Sequence, residues 1–330
     1  MRFYLAVCGL IAGVCMAGVV CGQEAGAVDP KKVRDEWVES NPVHPLSNTV
    51  VRTDAIVDLG RQLFFDTRLS AGGDRSCNSC HVLDDYGANG GVEGVTTARD
   101  VPSLYDLNSM LYYSWDARNR TLWDQTRESL TSTHEMGARE LEATVKQIAS
   151  VKAYVETFKV AFPDKGVSAD TVTHALVAFQ EGLITESPWD RFLAGDDDAI
   201  SVKALRGAEL FDEHSCSSCH TGRALGGQMI QKLGVARPWP NQEDKGYSVV
   251  SGKSAHDMFF RVAPLRNIEK TKPYFHDKSA RSLRRAVHYM ARYERGHELS
   301  YQELMGIETF LKTLTGEIPS DYVKAPTLPK

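Results

Sequence analysis

The sequence predicts a mainly α-helical chain of two similar domains wrapped by long loops, and three observations carry that prediction. The chain has 330 residues, which at about 150 residues per domain suggests two domains. No alternation of apolar and polar residues is sustained as a strand would need, whereas several stretches carry apolar residues at helical spacing. One short motif and the residues leading into it occur twice.

The elements follow in order. Met1-Arg2 and the uncharged apolar run Phe3 to Val20 read as a secretory signal over 1–22, cut after Gly22. An uncleaved anchor competes, because the run is about long enough to span a bilayer; a lipid-anchored Cys21 is disfavoured by the bulk of Val20. The expected division is 23–185 for an N-terminal domain and 186–330 for a C-terminal one. Gly60-Arg61-Gln62-Leu63-Phe64-Phe65-Asp66 precedes the first copy of the motif, and Gly207-Ala208-Glu209-Leu210-Phe211-Asp212 precedes the second. Helices are expected over Glu140 to Phe162, Ala169 to Leu183, Ser282 to Met290 and Tyr301 to Leu314, with a linker from Ser187-Pro188 to Asp198. Asp84 to Gly94 and Pro238 to Gly252 read as loops.

Composition sets outer bounds. Hydrophobic residues make up 42% and charged residues 25%, the ordinary globular mix, which excludes a mainly disordered chain or a multi-span membrane protein. The net charge of −5 offers no basic excess for a phosphate backbone, so no nucleic-acid partner is expected. Signal removal leaves the charge near −6 and no membrane span.

Cysteine usage is decisive. Of seven cysteines, three lie in the signal, leaving Cys77-Asn78-Ser79-Cys80-His81 and Cys216-Ser217-Ser218-Cys219-His220. An even count in an exported chain ordinarily suggests disulfides. Here each pair is two residues apart and followed at once by His, the attachment sequence of c-type haem: two thiols for the vinyl groups and an imidazole for the iron. Chance would supply this spacing about 0.004 times in a chain of this composition, so two copies are a coincidence of order one in 10⁵. Zinc held by paired CxxC would use the same thiolates but leave both histidines unexplained. The sequence therefore predicts two covalently bound haems in two cytochrome-c-like domains.

Leu63-Phe64-Phe65-Asp66-Thr67-Arg68-Leu69-Ser70, the two haem motifs, Trp115-Asp116-Ala117-Arg118, Glu135-Met136-Gly137 and Pro273-Tyr274-Phe275-His276-Asp277 together resemble the bacterial di-haem cytochrome c peroxidase family, which includes MauG. The resemblance implies that the haem at His81 is the peroxide site and the haem at His220 the electron-input site. It implies Met290 as distal ligand of the second iron, Trp115 as relay between the haems, and Gln125 and Glu135 in the distal pocket of the first. It also implies a calcium ion between the haems, held by Asp100 and by the carbonyls of Thr271 and Pro273; the family usually has Asn where Asp100 stands, and a carboxylate suits calcium.

The chemistry fits those roles. Glu135 in an apolar pocket would move a proton between peroxide oxygens, and Gln125 would orient peroxide or water through a hydrogen bond. The indole of Trp115 can carry an electron hole. The competing readings are a surface carboxylate, a helix-surface amide and a core tryptophan. Two departures stand out. No His lies between His81 and His134, so the first iron is expected to be open, as in MauG. MauG, however, has Tyr where Met290 stands, with Tyr289 and Tyr293 as neighbours here, and Trp where His214 stands. The expected activity is reduction of hydrogen peroxide with electrons from a small cytochrome c or a cupredoxin, in the periplasm. The alternatives are MauG-like oxidation of Trp or Tyr in a partner protein, and a non-catalytic di-haem carrier, which His134 capping the first iron would favour. The family is often dimeric, which implies a homodimer.

Overall fold

The computed structural model describes residues 28–41, 49–89, 97–137 and 139–330; the expected signal lies outside them. Among the described residues no helix is long and apolar enough to cross a membrane. The helices are α1 (Pro30–Ser40), α2 (Asp54–Phe65), α3 (Cys77–Cys80), α4 (Leu122–Thr131), α5 (Leu141–Ala149), α6 (Lys152–Ala161), α7 (Ala169–Gln180), α8 (Pro188–Leu193), α9 (Val202–Glu213), α10 (Ser248–Ser251), α11 (Leu283–Met290), α12 (Tyr301–Lys312) and α13 (Ser320–Val323). The fold is mainly α. Extended chain among the described residues is confined to two short antiparallel ladders and a few isolated bridges: β1 (His81–Val82) pairs with β2 (Ala88–Asn89), and β3 (Ile230–Lys232) with β4 (Phe259–Arg261).

Two helix pairs, α2 with α7 and α9 with α12, form the hearts of two hydrophobic cores, and glycine sets both crossings. A Cβ on Gly60 would stand 1.9 Å from the Ala175 carbonyl oxygen, and one on Gly207 would stand 2.1 Å from that of Gly306. In each pair the next neighbour is a phenylalanine Cβ four residues on, Phe179 or Phe310. The Gly-x-x-Leu-Phe repeat is thus the imprint of one helix–helix contact used twice: glycine lets the axes approach, and Leu63, Phe64, Leu210 and Phe211 fill the space beside it. Each such side chain contributes about 1.5–3 kcal/mol by burial.

The ends of the chain cross over. Val33 and Trp37 of α1 join the core of α9 and α12, where Trp37 meets Trp189 edge-on at 4.9 Å. Val323 of α13 joins the core of α2 and α7, and Tyr322 stacks on Phe179 at 5.2 Å. Each half is therefore closed by a segment from the opposite end of the chain.

Local differences from the sequence reading have local causes. The stretch Glu140 to Phe162 is two helices, because the chain turns at Ser150 and Val151 so that Ile148 of the first and Tyr154 of the second both enter the core of α2 and α7. The expected linker holds α8, opened by a Ser187–Asp190 capping box with Pro188 at its first turn; Trp189 and Phe192 are fully buried, so the segment is core. The loop after Pro238 contains α10, closed by Gly252 in the left-handed region (φ 68°).

A second repeat links the two halves, with each residue matched to one 161 positions further on. Asp106 and Asn267 share a left-handed backbone (φ 61° and 59°), as do Ser114 and Phe275, and Ala117 and Lys278. Tyr113 bridges Asn119 as Tyr274 bridges Ala280. Thr121 caps α4 through the Asp124 N–H, and Ser282 caps α11 through the Arg285 N–H.

Candidate functional site

Each haem motif sits on a single tight turn that gathers its side chains. In the first, Cys77–Cys80 is one helical turn capped by Ser76 and Ser79. In the second, the His220 N–H donates to the Cys216 carbonyl at 3.0 Å, closing an equivalent turn. All four cysteines are unpaired thiols, so the disulfide reading of these pairs fails. Burial pushes the Cys77 and Cys216 thiols up to about 12, which keeps them neutral rather than thiolate.

Both histidines are held in one way. His81 Nδ1 lies 3.1 Å from the Gly87 carbonyl oxygen and 3.0 Å from that of Pro102. His220 Nδ1 lies 3.1 Å from each of the Leu225 and Ala263 carbonyl oxygens. Carbonyls only accept, so Nδ1 carries the proton in both rings and Nε2 keeps its lone pair, the arrangement of a metal-ligating histidine. Burial lowers both imidazole pKa values, which favours the neutral ligand form.

A cavity of about 390 Å³ opens beside His220, lined by Cys216, Cys219, Met290, Trp115, His276 and Arg261, with Asp100, Thr271 and Pro273 also on its wall. Two polar groups in it have unmet needs. His276 is 2% exposed and its Nε2 has no hydrogen-bond partner. The Arg261 guanidinium is buried beside neutral partners, the Ser114 carbonyl at 3.1 Å and the Met110 sulfur at 3.5 Å, and burial lowers its pKa to about 10. Unpaired thiols, an imidazole lone pair, a thioether, a largely apolar wall and a buried cation suited to an acidic substituent make a donor set that fits haem.

The structure brings Trp115 to the junction of the halves. Its indole N–H donates to the Asp100 carbonyl at 2.9 Å, two residues before the Pro102 that holds His81. Its backbone carbonyl accepts from the Arg261 N–H at 2.9 Å, two residues before the Ala263 that holds His220. The pattern is reciprocal, because His276, the counterpart of Trp115, accepts from the Asp100 N–H at 2.9 Å. The two rings meet at 6.3 Å.

Gln125 lies half-buried on α4, its Oε1 accepting from Asn119 Nδ2 at 2.9 Å and from Ser114 Oγ. What remains for a ligand is its amide donor. Glu135 stands in the turn after α4, where the Glu135 and Gly137 N–H groups both donate to the Ser132 carbonyl. It is exposed rather than enclosed by apolar side chains, and its carboxylate accepts from Ser129 Oγ. Its charge is nonetheless felt at Cys77, Cys80 and His81, which puts it on the side of the first motif. His134 is exposed.

Asp100, Thr271 and Pro273 share the cavity wall, and burial pushes the Asp100 carboxyl up to about 7 against the opposing charge of Lys278. Among the described residues no group of three or more His, Cys, Asp or Glu is placed to hold a metal ion, so a calcium ion there would rest on one carboxylate and carbonyls. Sequence reasoning missed Arg261 and the pairing of His276 with Trp115. The signal was present in the 161-residue repeat, which sets Asp100-Val101 against Arg261-Val262 and Tyr113-Ser114-Trp115-Asp116 against Tyr274-Phe275-His276-Asp277.

Known proteins resemble this chain over most of its length. The sequence profile of the family described as di-haem cytochrome c peroxidase matches residues 54–198. The chain is 36% identical to a cytochrome c551 peroxidase of Nitrosomonas europaea over 301 residues, covering 88% of each chain. It is 30% identical to a methylamine utilization protein MauG of Methylophilus methylotrophus, covering 87% of this chain and 89% of that one. Among solved structures, a MauG-like protein associated with microbial copper homeostasis superposes with a TM-score of 0.72 at 26% identity, covering 86% of this chain and 96% of that one. The chain belongs to the di-haem cytochrome c peroxidase family. It is an oxidoreductase that acts on peroxide and uses haem.

Proposed function

We propose that this chain reduces hydrogen peroxide to water at the N-terminal haem, with electrons arriving through the C-terminal haem from a small cytochrome c or cupredoxin. The observation that carries the reading is the double attachment of Trp115, bonded to the segment that holds His81 and to the segment that holds His220. Haem, when bound, supplies the iron at which two electrons and two protons convert H₂O₂ to two water molecules.

The chain's own residues supply the rest. Cys77, Cys80, Cys216 and Cys219 would attach the two haems covalently, and the imidazoles of His81 and His220 would bind their irons. The Met290 thioether would bind the second iron, favouring the reduced metal and a higher potential, which suits electron uptake from a carrier. Trp115 relays electrons between the halves. Glu135 takes a proton from one peroxide oxygen and returns it to the other, and Gln125 orients the substrate through its amide donor. Asp100, with the Thr271 and Pro273 carbonyls, binds calcium between the haems. The run Phe3 to Val20 is an export signal, and the mature protein works in the periplasm.

A second reading, peroxide-driven oxidation of Trp or Tyr in a partner protein, draws on the absence of His between His81 and His134 and on the relative named MauG. One experiment separates the readings. The oxidised holoprotein is mixed with peroxide, and reduced cytochrome c is then added. Immediate, stoichiometric oxidation of the cytochrome supports the peroxidase. A long-lived oxidised protein that ignores the cytochrome refutes it in favour of the partner-protein reading, and inertness toward peroxide refutes both.

A further inference from the structure

The 161-residue repeat reaches beyond the Trp115 hairpin into α4 and α11, and there it makes a specific pairing. Thr121 and Ser282 cap the two helices identically, and Leu122 and Leu283 are both buried at their starts. Carried along the helices, the same register sets Ser129 of α4 opposite Met290 of α11. Met290 ends α11 on the wall of the cavity that also contains His220. Ser129 stands on the corresponding turn of α4, and its Oγ donates to the Glu135 carboxylate, whose charge reaches His81, Cys77 and Cys80. Ser129 is therefore the side chain that the repeat places in the first half where Met290 stands in the second, close to the first haem motif.

We infer that Ser129 is the counterpart of the sulfur ligand: a hydroxyl too short and too weak a donor to cap the first iron, which keeps that coordination position open and holds Glu135 beside it. Two consequences follow from one residue. The thioether of methionine spans from a helix to a metal, whereas the serine Oγ stops one bond beyond Cβ. The hydroxyl instead serves as a hydrogen-bond donor to an anionic carboxylate, an interaction stronger than a neutral pair. Ser129 is thus a positioning residue for Glu135. The inference rests on the peroxidase reading for the role of Glu135, while the matching of Ser129 to Met290 rests on the repeat alone.

The test uses holoprotein variants and two readouts. Ser129→Met should convert the first ferric haem from high-spin to low-spin, seen by electron paramagnetic resonance without any turnover. Ser129→Ala should stay high-spin and react with peroxide about tenfold more slowly, the worth of one hydrogen bond to a charged group. Ser129→Thr, which keeps the hydroxyl, should stay within about twofold of the parent. A Ser129→Met protein whose first haem remains high-spin overturns the matching to Met290. A Ser129→Ala protein with an unchanged peroxide rate overturns the positioning role, and this variant decides the matter even where the larger side chain prevents folding. A low-spin Ser129→Met protein whose parent does not turn over peroxide sinks the peroxidase reading and leaves the placement of Ser129 standing.

Discussion

Replacing Gly207 by alanine tests whether each haem is carried by its own closely crossed helix pair. An alanine in an exposed helix interior would stabilise by about 1 kcal/mol relative to glycine. Here the new Cβ would stand 2.1 Å from the Gly306 carbonyl oxygen, 2.7 Å from its carbon and 2.9 Å from Phe310 Cβ. Ordinary contact begins near 3.4 Å, so α9 and α12 must separate by roughly 1 Å, enough to forfeit a quarter to a half of each dispersion contact along the seam. Overpacking of this kind costs about 1–3 kcal/mol, and a backbone-to-backbone clash belongs at the upper end. At about 2–4 °C per kcal/mol for a protein half of this size, a cost near 3 kcal/mol lowers the unfolding midpoint by about 6–12 °C. The disturbance should also be local. α9 leads to the second motif, with the Phe211 ring 6.2 Å from that of His220 and the Phe211 carbonyl accepting from the Cys216 N–H at 2.9 Å. Gly207→Ala should therefore shift the reduction potential of the second haem and leave the spectrum of the first, whereas Gly60→Ala should act on the first. The assay is denaturation followed by circular dichroism, with a redox titration of each holoprotein. An unchanged or raised midpoint in Gly207→Ala, or identical effects of both variants on both haems, would refute the reasoning.

Three further outcomes are expected. Glu135→Gln should retain both haems and lose most peroxide turnover, by 10²-fold or more, in a steady-state peroxidase assay; unchanged turnover removes Glu135 from the chemistry. Met290→His should lower the potential of the second haem, and an unaltered redox titration would mean that another residue is the ligand. Calcium chelation should slow electron transfer between the haems in a flash or stopped-flow measurement, and Asp100→Ala, which removes the side-chain oxygen, should weaken the calcium dependence; indifference to chelator counts against the metal site.

Much of the fold was legible because its two halves repeat. The haem motifs, α7, α11 and α12 could be read from spacing, since each couples a fixed chemical requirement to a helical period. What escaped was non-local. Nothing in Pro30–Ser40 announces that Val33 and Trp37 pack against residues 189 to 314, because a helix face records that it is buried and not against what. The break at Ser150 lacks Pro or Gly, so one periodic stretch hid two helices. At the site, the two Cys-x-x-Cys-His motifs were explicit in the sequence, whereas Arg261 became visible only once its surroundings did: a buried arginine without a carboxylate is a property of the neighbourhood. Glu135 was expected in an apolar pocket, with a surface carboxylate as the competing reading; it stands exposed, because a tight turn after α4 holds it at the surface.

In the proposed function the two matching halves differ at the metal: a sulfur closes the iron of the second, and that of the first stays accessible. Electron paramagnetic resonance of the fully oxidised protein measures it directly. One high-spin and one low-spin ferric signal of equal weight are expected, the high-spin one lost on adding peroxide. Two low-spin signals, both unmoved by peroxide, would contradict it.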